Sequence, residues 1–133
     1  MRLYKALRNI VPDTYSTFKY LTRNNDYHFS EWSGTTENQI YLYYWFYAKD
    51  KIGKNTKRVV IQELESLLSH CIQNNITLVN RKLFKSICPT TYSSGPCGYC
   101  VSIRLFEFLG IAKYQGSNGF ELIDKEKIKQ ILT

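Results

Sequence analysis

Residues 98–123, GYCVSIRLFEFLGIAKYQGSNGFELI, carry the clearest indication of the fold class. Apolar residues recur at helical spacing from Gly98 to Leu109, which predicts a helix there. Gly110 stands where a helix commonly ends. Two short apolar runs follow, separated by the glycine-containing segment 115–119, a pattern typical of a β-hairpin. The predicted strands of this hairpin are residues 111–114 and 120–123.

Three more helices are predicted on either side of this stretch. The first runs from about Lys57 to Gln73 with Thr56 as its N-cap, because apolar residues repeat at helical spacing. After a short extended piece at 76–78, a second helix runs from about Asn80 to Ile87, and Pro89 prevents its continuation. The last helix follows Asp124, a residue type favoured at N-caps.

The N-terminal residues carry weaker signals. A basic helix is predicted over Leu3–Ile10, and a second helix from Asp13 to about Arg23. Residues 26–32 alternate weakly and predict a strand. The aromatic run from Gln39 to Ala48 fits a helical stripe, although its aromatic and β-branched content also suits a buried strand. Helix is the favoured prediction, because Thr36 can cap it.

The order helix, short strand, helix, turn, helix, hairpin over residues 56–124 resembles the winged helix–turn–helix family. The resemblance implies an α+β, mostly helical fold. We expect a winged-helix domain at residues 53–133, and an aromatic-rich helical extension at residues 1–52 that extends the core or mediates homodimerisation. The turn at residues 89–96 exceeds the usual three to four residues, which predicts either a contact surface or a solvated loop.

The resemblance also implies a function, the binding of duplex DNA by a small transcriptional regulator. In that family the third helix enters the major groove and the hairpin, or wing, touches the backbone. Arg104 would then make paired hydrogen bonds to a guanine edge. The outward positions of the third helix would be Tyr99, Ser102, Ile103 and Arg104. The residues expected to contact DNA are Arg81, Lys82 and Lys85 on the second helix, Thr90, Thr91, Tyr92 and Ser94 in the turn, Tyr99, Ser102 and Arg104 on the third helix, and Lys113, Gln115, Ser117 and Asn118 in the hairpin.

Charge and hydropathy narrow the classes of partner. The chain of 133 residues has a formal net charge of +7. Residues 53–133 hold eleven basic and six acidic side chains, which favours a polyanionic partner such as nucleic acid. No apolar run is long enough to span a bilayer and no signal peptide is recognisable. We therefore expect an intracellular, cytoplasmic protein without a membrane partner.

The chain has four cysteines, and three interpretations of them remain open. Cys97 and Cys100 form a CxxC pair that can hold a structural Zn²⁺ together with Cys88 and either Cys71 or His70. Alternatively, Cys88 pairs with Cys97 or Cys100 in a disulfide, which requires an oxidising compartment or a hyperthermophile cytosol. In the third interpretation the reduced thiols pack as small apolar groups.

No catalytic motif or small-molecule site is recognisable, so we do not expect an enzyme. Two other functions remain. One is a protein–protein interaction module that docks on a nucleic-acid machine without DNA affinity. The other is a metal-dependent nuclease using Asp13, Asp26 and Glu31. The aromatic run Tyr41–Tyr47 is expected to form core or a dimer surface rather than to stack exposed bases.

Overall fold

The N-terminal part of the chain is a helix followed by an antiparallel sheet. The structure, a computed structural model, describes residues 2–10, 17–19, 26–33, 40–47, 53–93 and 96–133. The predicted first helix is confirmed as α1 (Arg2–Ile10). The four strands pair in the order β1-β2-β3-β4, each antiparallel to its neighbour. Their bounds are Thr17–Lys19 for β1, Asp26–Ser33 for β2, Tyr41–Tyr47 for β3 and Lys54–Val60 for β4.

The predicted helix over Gln39–Ala48 is wrong, because these residues supply β3. Leu42 and Tyr44 are buried and alternate with partly exposed Tyr41 and Tyr43, which is the period of a strand with one face in the core. Pairing with strands on both sides outweighs the helical spacing of the same side chains. The strand predicted at residues 26–32 is confirmed as β2.

Two further predictions fail for the same reason, strand pairing. Residues 17–19 form β1 rather than part of a helix from Asp13 to Arg23; the rest of that segment lies outside the described residues. Thr56 does not cap a helix, because β4 continues to Val60 and α2 begins only at Ile61. The Ile61 amide donates to the Ile40 carbonyl at 3.0 Å, which serves the helix start in place of a side-chain cap.

The C-terminal part contains five helices and a second, three-stranded antiparallel sheet within the described residues. Asp124 caps α6 as predicted, accepting from a backbone amide at 3.0 Å. Asn80, where the second helix was expected to begin, is the N-cap of α3 and accepts from a backbone amide at 2.8 Å. The sheet has the order β5-β7-β6, so the predicted hairpin pairs with the short extended piece. The elements are α2 Ile61–Gln73, β5 Leu78–Val79, α3 Arg81–Ile87, α4 Pro89–Ser93, α5 Pro96–Phe108, β6 Ala112–Tyr114, β7 Phe120–Leu122 and α6 Lys125–Leu132.

The fold is α+β, and one hydrophobic core contains residues from both the N-terminal and the C-terminal part of the chain. Buried residues from α1, the first sheet and the C-terminal helices belong to the same cluster. The predicted division at residue 53 falls between β3 and β4, which pair along their full length. The predicted N-terminal extension is therefore not helical beyond α1 in the described residues, and its sheet shares the core. No helix in the described part of the chain is long and apolar enough to cross a membrane.

Candidate functional site

The predicted recognition helix, α5, is covered rather than presented. Tyr99 is 3 % exposed, and Ser102 and Ile103 are 0 % exposed. The prediction that these side chains point outward is wrong, because β4 and α4 pack against α5. In this arrangement they are not available to contact a base edge.

Arg104 is the remaining residue predicted on this helix, and it has an internal partner. Its guanidinium is half-buried and lies 3.1 Å from a carboxylate oxygen of Glu107. The other Glu107 oxygen accepts from the Tyr114 amide at 3.5 Å, so this ion pair ties α5 to β6. In this structure Arg104 is therefore held in an ion pair within α5.

The turn-rich segment is ordered by a carboxylate instead of forming an open loop. Residues 89–93 form α4, and Glu63 accepts from the amides of Thr90 at 2.9 Å and Thr91 at 2.7 Å. The Thr91 side chain is 0 % exposed, so the prediction that it offers a hydroxyl to phosphate is wrong. Thr90 is exposed, whereas Tyr92 is half-buried; Ser94 lies outside the described residues.

The cations on α3 lie at the surface, as the sequence predicts. Arg81, Lys82 and Lys85 are all exposed. The Arg81 guanidinium lies 4.9 Å from the centre of the Tyr99 ring, and the Lys85 ammonium 5.6 Å from that of Tyr92. No acidic residue occurs in the sequence between Glu65 and Glu107. Neither α3 nor α4 contains a carboxylate, so no residue of these two helices neutralises the positive charges on α3.

The hairpin lies against the start of α3. A Cβ on Gly119 would overlap the Val79 carbonyl and the Asn80 backbone, so only glycine allows this approach. Ser117 and Asn118 are exposed at the tip, and Lys113 is exposed at the base. Gln115 is half-buried and donates to Glu121 at 3.2 Å. The exposed hairpin tip therefore adjoins the helix that carries Arg81.

Three of the cysteines, Cys71, Cys88 and Cys100, are buried and form no disulfide. Burial raises the pKa of Cys71 to about 11, and burial also raises that of Cys88, with Glu63 adding to the effect. A disulfide between Cys88 and Cys100 is thus absent from the structure. The side chain of Cys97 lies outside the described part, and the described residues contain no cluster of three metal-ligating side chains.

The described residues do not show the three acidic residues predicted for a nuclease site close to one another. Asp13 lies outside the described residues. Asp26 and Glu31 belong to β2, but the structure describes only their backbone.

The aromatic run Tyr41–Tyr47 was expected to form core or a dimer surface, and sequence reasoning missed that the first sheet has an outer face that combines some of these rings with cations. Alternation along β3 divides its aromatic run, so that Leu42 and Tyr44 enter the core and the intervening rings lie outside. Tyr47 is 52 % exposed and the other three rings are partly exposed. The outer face consists of Tyr41, Tyr43, Trp45 and Tyr47 on β3, with Lys54 and Arg58 on β4.

Cations on β4 lie directly over the rings of β3. The Lys54 ammonium is 4.3 Å from the centre of the Trp45 ring, and the Arg58 guanidinium is 4.5 Å from that of Tyr41. His28 on β2 stacks on Trp45 with ring centres 4.2 Å apart. Six of the seven residues from 41 to 47 are aromatic, so the sequence alone does not show which of these rings face outward.

Comparison with known protein families, with curated proteins and with solved structures found no match.

Proposed function

We propose that the protein binds duplex DNA through the sugar–phosphate backbone, using the α3–hairpin surface. This surface consists of Arg81, Lys82, Lys85, Ser117 and Asn118. The observation that carries the proposal is the group of three exposed cations on α3, in a stretch of chain without acidic residues. Lys and Arg that neutralise phosphates release counterions, which supplies most of the affinity of non-specific DNA binding.

The order of elements supports the same class of protein. A helix, a short strand, three helices and a hairpin follow one another, and the strands have the order β5-β7-β6. This order agrees with the winged-helix resemblance of the sequence. Because α5 is covered, the proposal is for general binding to the backbone, with DNA sequence read weakly or not at all. A DNA partner also agrees with the intracellular location expected from the sequence.

The test is the affinity of a labelled mixed-sequence duplex, measured by fluorescence anisotropy from about 50 to 200 mM salt. A variant with Arg81, Lys82 and Lys85 all changed to Gln should bind much more weakly at low salt. Its slope of log affinity against log salt should fall by about 2.7, because each phosphate contact contributes about 0.9. The matched control changes Lys125, Lys127 and Lys129 of α6 to Gln, which removes the same charge from exposed residues elsewhere.

Two results would contradict the proposal. Equal losses in the α3 and α6 variants would mean that net charge alone attracts DNA. No binding by the unaltered protein at low salt would remove the DNA function and favour the interaction module that docks on other proteins. Thermal unfolding of each variant checks that a loss of binding is not a loss of fold, since Arg81 and Lys85 also contact aromatic rings.

A further inference from the structure

The outer face of the first sheet carries chemistry that the α3–hairpin surface does not use. Alternate residues on a strand lie about 7 Å apart, so Tyr43, Trp45 and Tyr47 form a row of rings. Trp45 and Tyr47 meet edge to face with ring centres 5.2 Å apart. Aromatic rings in such a row offer stacking partners to flat ligands, and Lys54 and Arg58 place positive charge beside them.

We propose that this outer face binds single-stranded nucleic acid by stacking unpaired bases on Tyr43 and Tyr47. In a duplex both faces of a base are covered by neighbours about 3.4 Å away along the strand. Tyr43 and Tyr47 are four residues apart on β3, or about 13 Å, which suits bases that are splayed out of a stack, as they are in single-stranded segments. Stacking on aromatic side chains tolerates any base, because every base has a π face.

Trp45 and Tyr47 have different roles in this face, because neighbouring side chains contact the Trp45 ring whereas Tyr47 is exposed. His28 stacks on the Trp45 ring and Lys54 lies over it, so Trp45 forms the centre of the row. Tyr47 is the most exposed ring of the face at 52 %. A base stacked on Tyr47 places its phosphate near Lys54, since these residues are directly opposite each other in the β3–β4 register.

Charge favours a polyanion over a second copy of this chain on the same face. Neither β3 nor β4 contains an acidic residue. A two-fold dimer through the outer face would bring Lys54 and Arg58 of both copies into one interface without carboxylates from these strands. Glu31 of β2 is opposite Tyr43 in the register, so the excess of positive charge lies at the β4 edge of the face, beside Tyr47. Phosphate groups between stacked bases supply the negative charge that β3 and β4 lack.

The test compares four labelled ligands of equal length by fluorescence anisotropy at one salt concentration. These are single-stranded DNA, single-stranded RNA, a duplex and an abasic DNA strand. We expect both intact single strands to bind this face, and the abasic strand to bind much more weakly because it has phosphates without bases. A preference for RNA over DNA would identify contacts to the 2′-hydroxyl.

Substitutions at Tyr47 separate stacking from charge. Y47L should weaken single-strand binding about tenfold, whereas Y47F keeps the ring and should bind as the unaltered protein does. F108L is the control, because Phe108 is another exposed aromatic, at 43 %, on α5. K54Q should lower the salt slope by about 0.7 for a single strand. Thermal unfolding of each variant confirms that the sheet is intact.

Three results would overturn the inference. Equal binding of abasic and intact strands would show that the rings do not stack bases. Unchanged binding in Y47L would move the site away from this face. A dimer in the unaltered protein that dissociates in Y47L would show that a second copy covers the rings. Loss of duplex binding in the α3 variant with retained single-strand binding separates this site from the one proposed above.

Discussion

At the scale of the residue, Thr91 connects two parts of the chain through one hydroxyl. The hydroxyl donates to Glu63 at 2.7 Å and accepts from the Val60 amide at 3.0 Å. Glu63 also accepts from the amides of Thr90 and Thr91. The end of β4, the first turn of α2 and the start of α4 therefore share one partly buried network. Sequence alone did not indicate it, because its members are separated by about thirty residues of chain.

Replacing Thr91 by Val should cost about 1–3 kcal/mol of stability, because the buried Val60 amide loses its acceptor. Urea unfolding monitored by circular dichroism measures this change. Thr90→Val is the matched control, since Thr90 is exposed and a surface substitution costs about 0.5 kcal/mol or less. Equal midpoints for the two variants would mean that the Thr91 hydroxyl contributes nothing to the fold.

The buried thiol of Cys71 makes stability depend on alkaline pH. Burial raises its pKa from 9.0 to about 11, so the folded state favours the protonated thiol. Stability from this group is complete below the unfolded pKa and is lost as pH rises through the folded value. We expect stability to fall between pH 9 and pH 11, by at most about 1.4 kcal/mol per pH unit from this thiol.

Cys71→Ala provides the comparison for this pH effect. Lysines and tyrosines titrate in the same range in both proteins, so the difference in slope isolates the thiol. A shallower fall in C71A, measured by urea unfolding at several pH values, is the expected result. Parallel curves would show that Cys71 titrates in the folded state as it does in the unfolded chain.

At the scale of the element, helices were easier to predict than strands. Apolar spacing and caps such as Asn80 and Asp124 are local, so α3 and α6 could be predicted from sequence. β1, β3 and β4 form by pairing with strands that are distant in the chain. The spacing of apolar residues within one segment does not reveal such pairing. The burial of α5 had a visible signal: Ser102 and Ile103 give it small or apolar residues on the side that a DNA-reading helix would present.

The need for glycine at position 98 is better explained by the close packing of α4 against α5 than by a metal-binding CxxC pair. A Cβ at Gly98 would overlap the Thr91 carbonyl, so α4 and α5 can approach only because this residue has no side chain. Gly119 permits the same closeness between the hairpin and β5, and its φ of 107° is one that other residues rarely adopt.

Gly98→Ala and Gly119→Ala should each cost about 1–3 kcal/mol, because the neighbouring atoms are backbone and must shift. Gly116→Ala is the control: its φ is 65° and nothing lies within 4 Å of its Cβ position. It should cost about 1 kcal/mol, from backbone conformation alone. Chemical unfolding ranks the three variants, and a Gly116 cost equal to the other two would contradict the packing argument.

At the scale of the whole molecule, two surfaces of different chemistry are carried by elements that share one hydrophobic core. The α3–hairpin surface carries charge with hydroxyl and amide groups, whereas the outer face of the first sheet carries rings with cations. Composition predicted a polyanionic partner, because the excess of basic residues is visible in sequence. Which side chains face outward could not be predicted, since that depends on how β4, α4 and α5 pack together.

The most direct test of this account is an NMR titration of the isotope-labelled protein with a duplex and, separately, with a single strand. Amide shifts caused by the duplex should concentrate on α3 and the hairpin tip, at Arg81, Lys82, Lys85, Ser117 and Asn118. The single strand should shift amides of β3 and β4 instead. Shifts that centre on α6, or that spread evenly over all lysines, would contradict the claim that these two surfaces bind nucleic acid.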